Sequence, residues 1–215
     1  VAYTSPNFNG LSFTAGVVQP WHATTLGTAG TTSATSSGNK NYLGFEGQIS
    51  WAFDSGKIWA GFASQDVDNL SGGGNDDEIT AFEAGANINF GNLGATVYAY
   101  SGEGLGTTGF ARDGFDTTGE GRDSDGGYVQ VTYVIPSGTK LGVAYGVTSL
   151  DHADATDAAA VAALVEDQKR ITVGAYHPLT KHLNLVAEYN AIEETSHSGI
   201  ENEADAFSVG AILFF

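Results

Sequence analysis

Residues 207–215 read FSVGAILFF. Apolar side chains occupy every second position from Phe207 to Phe215, and Ser208, Gly210, Ile212 and Phe214 lie between them. Because successive side chains of a β-strand point to opposite faces, this period of two predicts a strand with one apolar face. The stretch LNLVAEYNA at 183–191 shows the same alternation. The end of the chain therefore predicts paired strands, each with one apolar and one polar face.

The same alternation recurs along the rest of the chain in segments of about ten residues. It predicts eleven strands, at 1–6, 11–21, 42–53, 58–65, 81–90, 93–101, 128–135, 141–147, 169–177, 183–191 and 207–215. Short turns alternate with long connections at 22–41, 66–78, 102–127, 150–168 and 193–205. Short turns at one rim and long loops at the other are typical of a transmembrane antiparallel β-barrel. For a single strand a soluble β-sandwich is the preferred interpretation, but eleven strands with segregated connections reverse that preference.

The chain is strongly acidic, with 25 Asp and Glu residues against eight Lys and Arg residues. Binding to phosphate needs clustered basic side chains, so this composition argues against a nucleic-acid partner. Four of the long connections and their edges hold 21 of the acidic residues, which predicts one acidic rim. The sequence has no apolar run of about 18 residues and therefore predicts no membrane-spanning helix.

Several stretches resemble the general diffusion porins of Gram-negative outer membranes. They read YTSPNFNGLSF, GEGLGTTG, RDSDGGYVQVTYV, TKLGVAYGV, YHPLTKHLNLVAEYN and AILFF. The resemblance implies a homotrimer of 16-stranded barrels, each with an aqueous pore narrowed by an inward-folded third loop. It also implies that Phe207, Leu213 and Phe215 belong to an assembly signal read by the barrel assembly machinery. Outer-membrane lipid and lipopolysaccharide would surround such a barrel, with the long loops extracellular and the short turns periplasmic.

The chain departs from that family at its start. Its opening, VAYTSP at 1–6, looks like the sixth strand of a porin. We therefore expect a single β-barrel domain at 1–215 that lacks the first five strands and the constriction loop. The first and last of eleven strands would both run towards the short-turn rim, so closing them on each other would need a parallel seam in an antiparallel barrel.

In each strand, the positions that alternate with the apolar ones form a second set, which we call the polar phase. These positions give the candidates for the pore wall. If Leu185, Ala187 and Tyr189 face lipid, then Glu188 faces the lumen. The same phase gives ten pore-lining candidates: Glu46, Gln48, Glu83, Asn87, Asn89, Tyr98, Tyr100, Arg170, Glu188 and Asn190. Acids outnumber bases three to one in this set, which favours cations over anions unless the strands that the chain lacks supply several arginines. Candidates for the interfacial aromatic girdle are Trp21, Trp51, Phe53, Phe90 and Tyr133.

The function predicted from these features is passive diffusion of small hydrophilic solutes and ions, without enzymatic activity and without a cofactor. One alternative is an autotransporter-type translocator barrel, which needs a helix threading the lumen before its first strand. The other is an outer-membrane barrel hydrolase, for which Ser196 beside His197 offers a nucleophile and a base. Adjacent residues on a strand point apart, which weakens this second alternative.

Three local motifs complete the sequence analysis. Residues 104–109, GLGTTG, match a dinucleotide-binding glycine pattern, but no amphipathic helix follows and we interpret them as loop glycines. The stretch ATDAAAVAALVED at 155–167 predicts a helix within a long loop, with Asp154 or Thr156 as its N-cap. No metal site is predicted, and the weak loop candidates for a divalent cation are Asp76, Asp77 and Glu78.

Overall fold

The structure is a computed structural model that describes residues 1–18, 43–68, 76–106 and 113–214. Its strands are β1 (Ala2–Thr4), β2 (Leu11–Val18), β3 (Gly44–Phe53), β4 (Gly56–Asp68), β5 (Asp76–Phe90), β6 (Leu93–Glu103), β7 (Asp123–Val134), β8 (Lys140–Leu150), β9 (Val165–Pro178), β10 (Leu183–Ser196) and β11 (Glu201–Leu213). One short helix, α1 (Ala155–Ala160), lies between β8 and β9. The prediction of eleven strands is confirmed.

The strands form a single sheet in which each strand pairs with its neighbours in sequence, from β1 to β11. Every ladder in it is antiparallel. Within the described ranges, β1 and β11 are the two edges of this sheet and do not pair with each other. The predicted all-β antiparallel architecture is confirmed, and the sheet formed by this chain is open.

The last hairpin shows how side-chain alternation specifies the register. In the ladder between β10 and β11, Tyr189 lies opposite Phe207 and Glu188 lies opposite Ser208. Aromatic side chains therefore meet on one face and polar side chains meet on the other. A slip of one residue would exchange the two faces, so the pattern strongly disfavours any other register.

The first hairpin shows why the short connections are tight turns. Asn9 and Gly10 have φ angles of 53° and 96°. On either side of them, Phe8 and Leu11 exchange backbone hydrogen bonds of 2.7 and 3.2 Å. Two consecutive positive φ angles belong to a type I′ turn, whose twist suits a two-residue hairpin and which favours Asn–Gly. The predicted short turn is confirmed here.

At the ends joined by the long connections, some strands are longer than the sequence predicts. Strand β10 continues to Ser196 and β11 begins at Glu201, so that only residues 197–200 join them. The predicted long loop at 193–205 is therefore wrong. The apolar alternation ends early, but ladder hydrogen bonds join backbone groups and continue where the side chains are acidic, as in the pair Glu193–Glu203.

Helix α1 confirms part of the helix prediction. Asp154 is its N-cap, and Oδ1 of Asp154 accepts hydrogen bonds from the backbone N–H groups of Thr156 at 2.7 Å and Asp157 at 2.8 Å. The second half of the predicted helix is wrong, since β9 begins at Val165. Among the described residues, no helix has the length and apolar composition needed to cross a membrane.

Fully buried side chains lie near the strand ends that the long connections join. Val67, Ile79 and Phe115 form one cluster there, with 1–3% of their surface exposed. Leu150 and Leu164 are also buried, at 0% and 2% exposure. Along the middle of the sheet, by contrast, one face leaves large apolar side chains exposed. An apolar surface of this extent needs another apolar surface to cover it.

Candidate functional site

The polar positions of the strands form one continuous face, which we call the polar face. Successive register pairs join Gln48 to Gly61, Gly61 to Glu83, and Glu83 to Tyr100. Followed across the sheet, this pairing puts all ten predicted site residues on the same face: Glu46, Gln48, Glu83, Asn87, Asn89, Tyr98, Tyr100, Arg170, Glu188 and Asn190. The opposite, apolar face carries side chains such as Phe207 and Val209, which are 72% and 73% exposed.

Glu83 is the centre of a hydrogen-bonded group on the polar face. The amide Nε2 of Gln48 donates to Oε1 of Glu83 at 2.9 Å. The hydroxyl of Tyr98 donates to Oε2 of Glu83 at 3.0 Å. The donors come from β3 and β6, on either side of β5, so both oxygens of this carboxylate are held in place.

Glycine on the intervening strand makes the contact between Gln48 and Glu83 possible. A Cβ atom at Gly61 would lie 2.9 Å from Oε1 of Glu83, so a side chain there would compete with the carboxylate for the same space. Gly16 has the same relation to Glu46, whose Oε1 would lie 2.6 Å from an added Cβ. Sequence reasoning missed these pairs, because a glycine opposite a glutamate becomes visible only once the register is known.

The polar face contains a concavity of about 480 Å³, which we call the recess. The residues that line it include Glu46, Gln48, Glu83, Tyr98, Tyr100 and Leu105. In the described part of the chain, the carboxylate of Glu46 has no hydrogen-bond or ion-pair partner. The recess therefore holds one carboxylate fixed by two donors and a second one that has no partner within the described ranges.

Three tyrosines on β6 and β7 form an aromatic patch beside Glu83. The rings of Tyr98 and Tyr128 stack at a centroid distance of 5.5 Å and an interplanar angle of 29°. Tyr100 lies 6.4 Å from Tyr98, and its hydroxyl is within hydrogen-bonding distance of Ser124 and Thr148. The sequence identified Tyr98 and Tyr100 but missed Tyr128, which the register places opposite Tyr98.

Asn87 and Asn89 lie on the polar face nearer the short turns. Nδ2 of Asn87 donates to Oγ1 of Thr96 at 2.8 Å, and Nδ2 of Asn89 donates to Oδ1 of Asn87 at 3.0 Å. These bonds run along and between β5 and β6. They give this part of the face fixed, uncharged polar groups.

The far side of the polar face, on β9 and β10, has its own acid. Glu188 accepts a hydrogen bond from the hydroxyl of Tyr176, and Asn190 accepts one from Thr172 at 2.7 Å. Arg170 lies in the same phase, opposite Gly146 and Ile192, and is exposed. The structure thus brings Gln48, Glu83 and Tyr98 together but leaves Arg170 and Glu188 apart from them.

Residues 113–122, which lead from the β6–β7 connection into β7, fold over the polar face. Phe115 packs on Val67 and Ile79, and Leu105 packs against the same cluster. The backbone N–H of Gly121 donates to Oδ2 of Asp77 at 2.6 Å. The register puts Val67, Ile79 and Asp77 in the same phase as Glu83, so the 113–122 segment covers the end of the polar face. Sequence reasoning treated these residues as an open loop and missed this packing.

A buried ion pair joins the 113–122 segment to helix α1. Nε and Nη2 of Arg122 donate to the two carboxylate oxygens of Asp157 at 2.7 and 2.6 Å. Nη1 of Arg122 donates to the backbone carbonyl of Asp113 at 2.9 Å. The side chains of Arg122 and Asp157 are 0% and 1% exposed. The hydrogen bonds from Arg122 lower the pKa of Asp157 to about 2, so this carboxylate is charged at neutral pH.

Ser196 and His197 do not form a nucleophile–base pair. Oγ of Ser196 hydrogen-bonds with Ser198 at 2.9 Å and with the backbone of Ile200. Nε2 of His197 lies 2.8 Å from the carbonyl oxygen of Leu150. The two side chains thus make separate structural contacts, which gives the hydrolase alternative no support from this pair.

The weak metal candidates make protein contacts instead. Besides the bond to Gly121, Asp77 accepts one from the backbone of Glu78, and Glu78 accepts one from Ser64 at 2.6 Å. The side chain of Asp76 lies outside the described residues. Over the ranges that the structure describes, there is no group of three or more His, Asp or Glu residues arranged to hold a metal ion.

Other sequence candidates fall on the apolar face or outside the described ranges. Phe207 and Leu213 are exposed on the apolar face, whereas Phe215, Trp21 and Gly109 lie outside the described residues. The girdle candidates Trp51, Phe90 and Tyr133 are exposed by 49%, 66% and 47%. Gly104 and Gly106 have φ angles of 73° and 68°, as loop glycines often do.

Solved structures share this fold. The outer membrane channel DcaP of Acinetobacter baumannii aligns with a TM-score of 0.80 at 14% identity, over 99% of this chain and 61% of its own. The anion-selective porin from Comamonas acidovorans aligns with a TM-score of 0.63 at 13% identity, and the alignment covers 99% of this chain and 57% of that porin. OmpT in trimer form, an outer membrane protein of Vibrio cholerae, aligns with a TM-score of 0.55 at 15% identity, and the alignment covers 96% of this chain and 78% of OmpT. This chain thus spans less than two thirds of the first two proteins.

Sequence comparison adds the family to the fold. Curated proteins give no significant match. The sequence model of the Gram-negative porins, in contrast, matches residues 1–197 of the 215. This match covers most of the chain, including nearly all of the polar face. The chain belongs to the Gram-negative porin family.

Proposed function

We propose that this chain forms one side of an outer-membrane channel for the passive diffusion of small hydrophilic solutes and ions. The observation that carries the proposal is the pairing of a continuous polar face with a continuous exposed apolar face on the same sheet. In a barrel, lipid covers the apolar face and water fills the space enclosed by the polar face. The ten predicted site residues, which lie on the polar face, would then line the pore.

The open sheet supports a larger barrel than eleven strands. In this proposal the chain supplies eleven strands of a 16-stranded barrel, and the remaining strands and the constriction loop complete the wall. A homotrimer is part of the proposal, since one structural neighbour is described in a trimer form. Transport would follow from pore size and from the charges on the wall, with no chemistry and no cofactor.

Conductance tests this function directly. The full-length porin containing this chain, refolded and added to a planar lipid bilayer, should produce stepwise, ohmic increases in current that scale with salt concentration. The current through a water-filled pore rises in proportion to the salt concentration, whereas a carrier saturates and an enzyme carries no such current. Folded protein that inserts without producing current steps would contradict the channel.

The orientation of the barrel is a second part of the proposal. We infer that the long connections face the outside, where their carboxylates meet lipopolysaccharide and its divalent cations, and that the short turns face the periplasm. A broad-specificity protease added to intact cells should therefore cut within 151–164 and spare the short turn at 136–139. Cleavage confined to that turn would reverse the orientation.

Assembly is the third part of the proposal. Phe207 and Leu213 lie in the apolar phase of β11 and are 72% and 64% exposed. With Phe215 they would form the alternating end that the barrel assembly machinery reads. Their position on an edge strand supports this, because an unpaired edge offers free backbone groups to another protein.

A further inference from the structure

Resting on the proposed channel, we propose that the recess is a binding site for small organic ammonium solutes, meaning monocations that carry an aromatic or alkyl group. Two carboxylates, two tyrosines of the patch (Tyr98 and Tyr100) and the apolar side chain of Leu105 line the recess, and Tyr128 stacks on Tyr98 beside it. Each of these three features contributes a different part of the recognition.

The charge of the recess favours a cation. Glu46 and Glu83 both line it, and no Lys or Arg is among the described residues that line it. Glu83 is held by Gln48 and Tyr98, whereas Glu46 has no partner in the described ranges. Glu46 would therefore pair with the ammonium group, and Glu83 would add its charge from a fixed position.

The tyrosine patch favours an organic cation over a metal ion. The hydroxyl of Tyr98 is committed to Glu83, and that of Tyr100 to Ser124 and Thr148. These bonds fix the rings along the wall, so that a solute meets ring surfaces. Tyr128, stacked on Tyr98, keeps 39% of its own surface exposed. Ring faces attract ammonium groups through cation–π interactions and also contact hydrocarbon groups.

The apolar part of the solute has a partner at the edge of the recess. Leu105 lines the recess and also packs against the buried cluster of Val67, Ile79 and Phe115. This cluster holds Leu105 in place at the end of the polar face. A potassium ion would gain nothing from Leu105, whereas an aryl or alkyl group would bury surface against it.

The other side of the polar face provides a matched control. Tyr176 donates to Glu188 just as Tyr98 donates to Glu83. In the described structure, however, Tyr176 has no ring partner within stacking distance and lies outside the recess. If a tyrosine next to a glutamate were sufficient, both places would act alike. The proposal requires that substitutions in the recess weaken the binding of an organic cation and that a substitution at Tyr176 does not.

The test is current block of the full-length porin in a planar bilayer by benzylammonium, with benzyl alcohol as the uncharged probe of the same shape. Benzylammonium should cause concentration-dependent interruptions of the current, and benzyl alcohol at the same concentrations should not. Tyr98→Leu and Glu83→Gln should each weaken the apparent affinity for benzylammonium by about tenfold. Tyr98→Phe keeps the ring and should weaken it less than Tyr98→Leu does.

The control variant Tyr176→Leu should keep the wild-type affinity for benzylammonium. Tyr128→Leu, at an exposed ring, repeats the test if Tyr98→Leu does not fold. Equal block of the wild type, Tyr98→Leu and Tyr128→Leu would overturn the proposal, as would equal block by benzyl alcohol. Normal current steps without any benzylammonium block would overturn this inference alone, whereas folded protein without current steps would overturn the channel itself.

Discussion

Replacing Arg122 with alanine will release the 113–122 segment from the polar face. In the wild type both carboxylate oxygens of Asp157 are bonded to Arg122 in a site with almost no solvent exposure. The variant leaves that carboxylate buried without the guanidinium, with Nδ1 of His152 at 3.3 Å and the backbone N–H of Ala153 at 3.1 Å as its nearest partners. Breaking a buried pair in this way costs about 3–5 kcal/mol. The remaining attachments of the segment include the packing of Phe115 on Val67 and Ile79 and the bond from Gly121 to Asp77.

Mobility of the segment measures this loss. The chain contains no cysteine, so Thr117→Cys, at an exposed position, accepts a single spin label or fluorophore. The label should be immobilised in the wild type and mobile in Arg122→Ala. The matched control is Lys169→Ala, which breaks the ion pair of Lys169 and Glu193 at 3.0 Å, where both side chains are well exposed. An exposed pair contributes little, so a mobile label in both variants would contradict the role of Arg122.

Acid should release the same segment in the wild type. Since the pKa of Asp157 is lowered to about 2 in the folded chain, its charge stabilises the pair above its ordinary pKa of about 3.9. That stabilisation, about 2 kcal/mol, is lost as the pH falls through about 2. The label at Thr117→Cys should stay immobilised at pH 5 and become mobile between about pH 4 and pH 2. Asp157→Asn should remove this pH dependence.

The sequence predicts the sheet well because the property that defines it is local. Alternation with a period of two is visible within a single strand such as β11, and it also determines which residues share a face. The positions of Glu83, Glu188 and Asn190 on one polar face follow from that alternation alone. The strand ends were less predictable, because beyond Ala191 the side chains no longer alternate although the backbone ladder continues.

Contacts between distant parts of the chain could not be predicted from the sequence. Arg122 and Asp157 lie in two different long connections, and neither has a sequence pattern that points to the other. The bond from Gln48 to Glu83 depends on Gly61, and a glycine has many other roles. The bond from Gln48 to Glu83 requires the register of the sheet, and the pair of Arg122 and Asp157 requires the fold of two connections, so neither contact follows from a local pattern. The register therefore adds the partners to the faces that alternation had already separated.

Exchanging Glu188 for lysine will shift the ion preference of the channel towards anions. Glu188 shares the polar face with Glu46, Glu83 and Arg170, and its visible partner is the hydroxyl of Tyr176 rather than a basic side chain. Its charge is therefore not neutralised by a neighbour in the described ranges. The change from Glu to Lys replaces one negative charge by one positive charge, which leaves two acids and two bases in the predicted set. We expect the cation-to-anion permeability ratio to fall several-fold at low salt, where screening is weak.

The reversal potential under a potassium chloride gradient measures this shift, and a neighbouring residue provides the control. Glu188→Gln should give a smaller shift in the same direction, because it removes one charge without adding another. Ala187 lies one position away, on the apolar face, so Ala187→Lys should impair assembly, since a lysine facing lipid near mid-membrane costs about 2–4 kcal/mol. If Glu188→Lys failed to assemble while Ala187→Lys formed selective channels, the two faces would be exchanged. Assembly of Glu188→Lys with an unchanged reversal potential would mean that Glu188 does not face the conducting water.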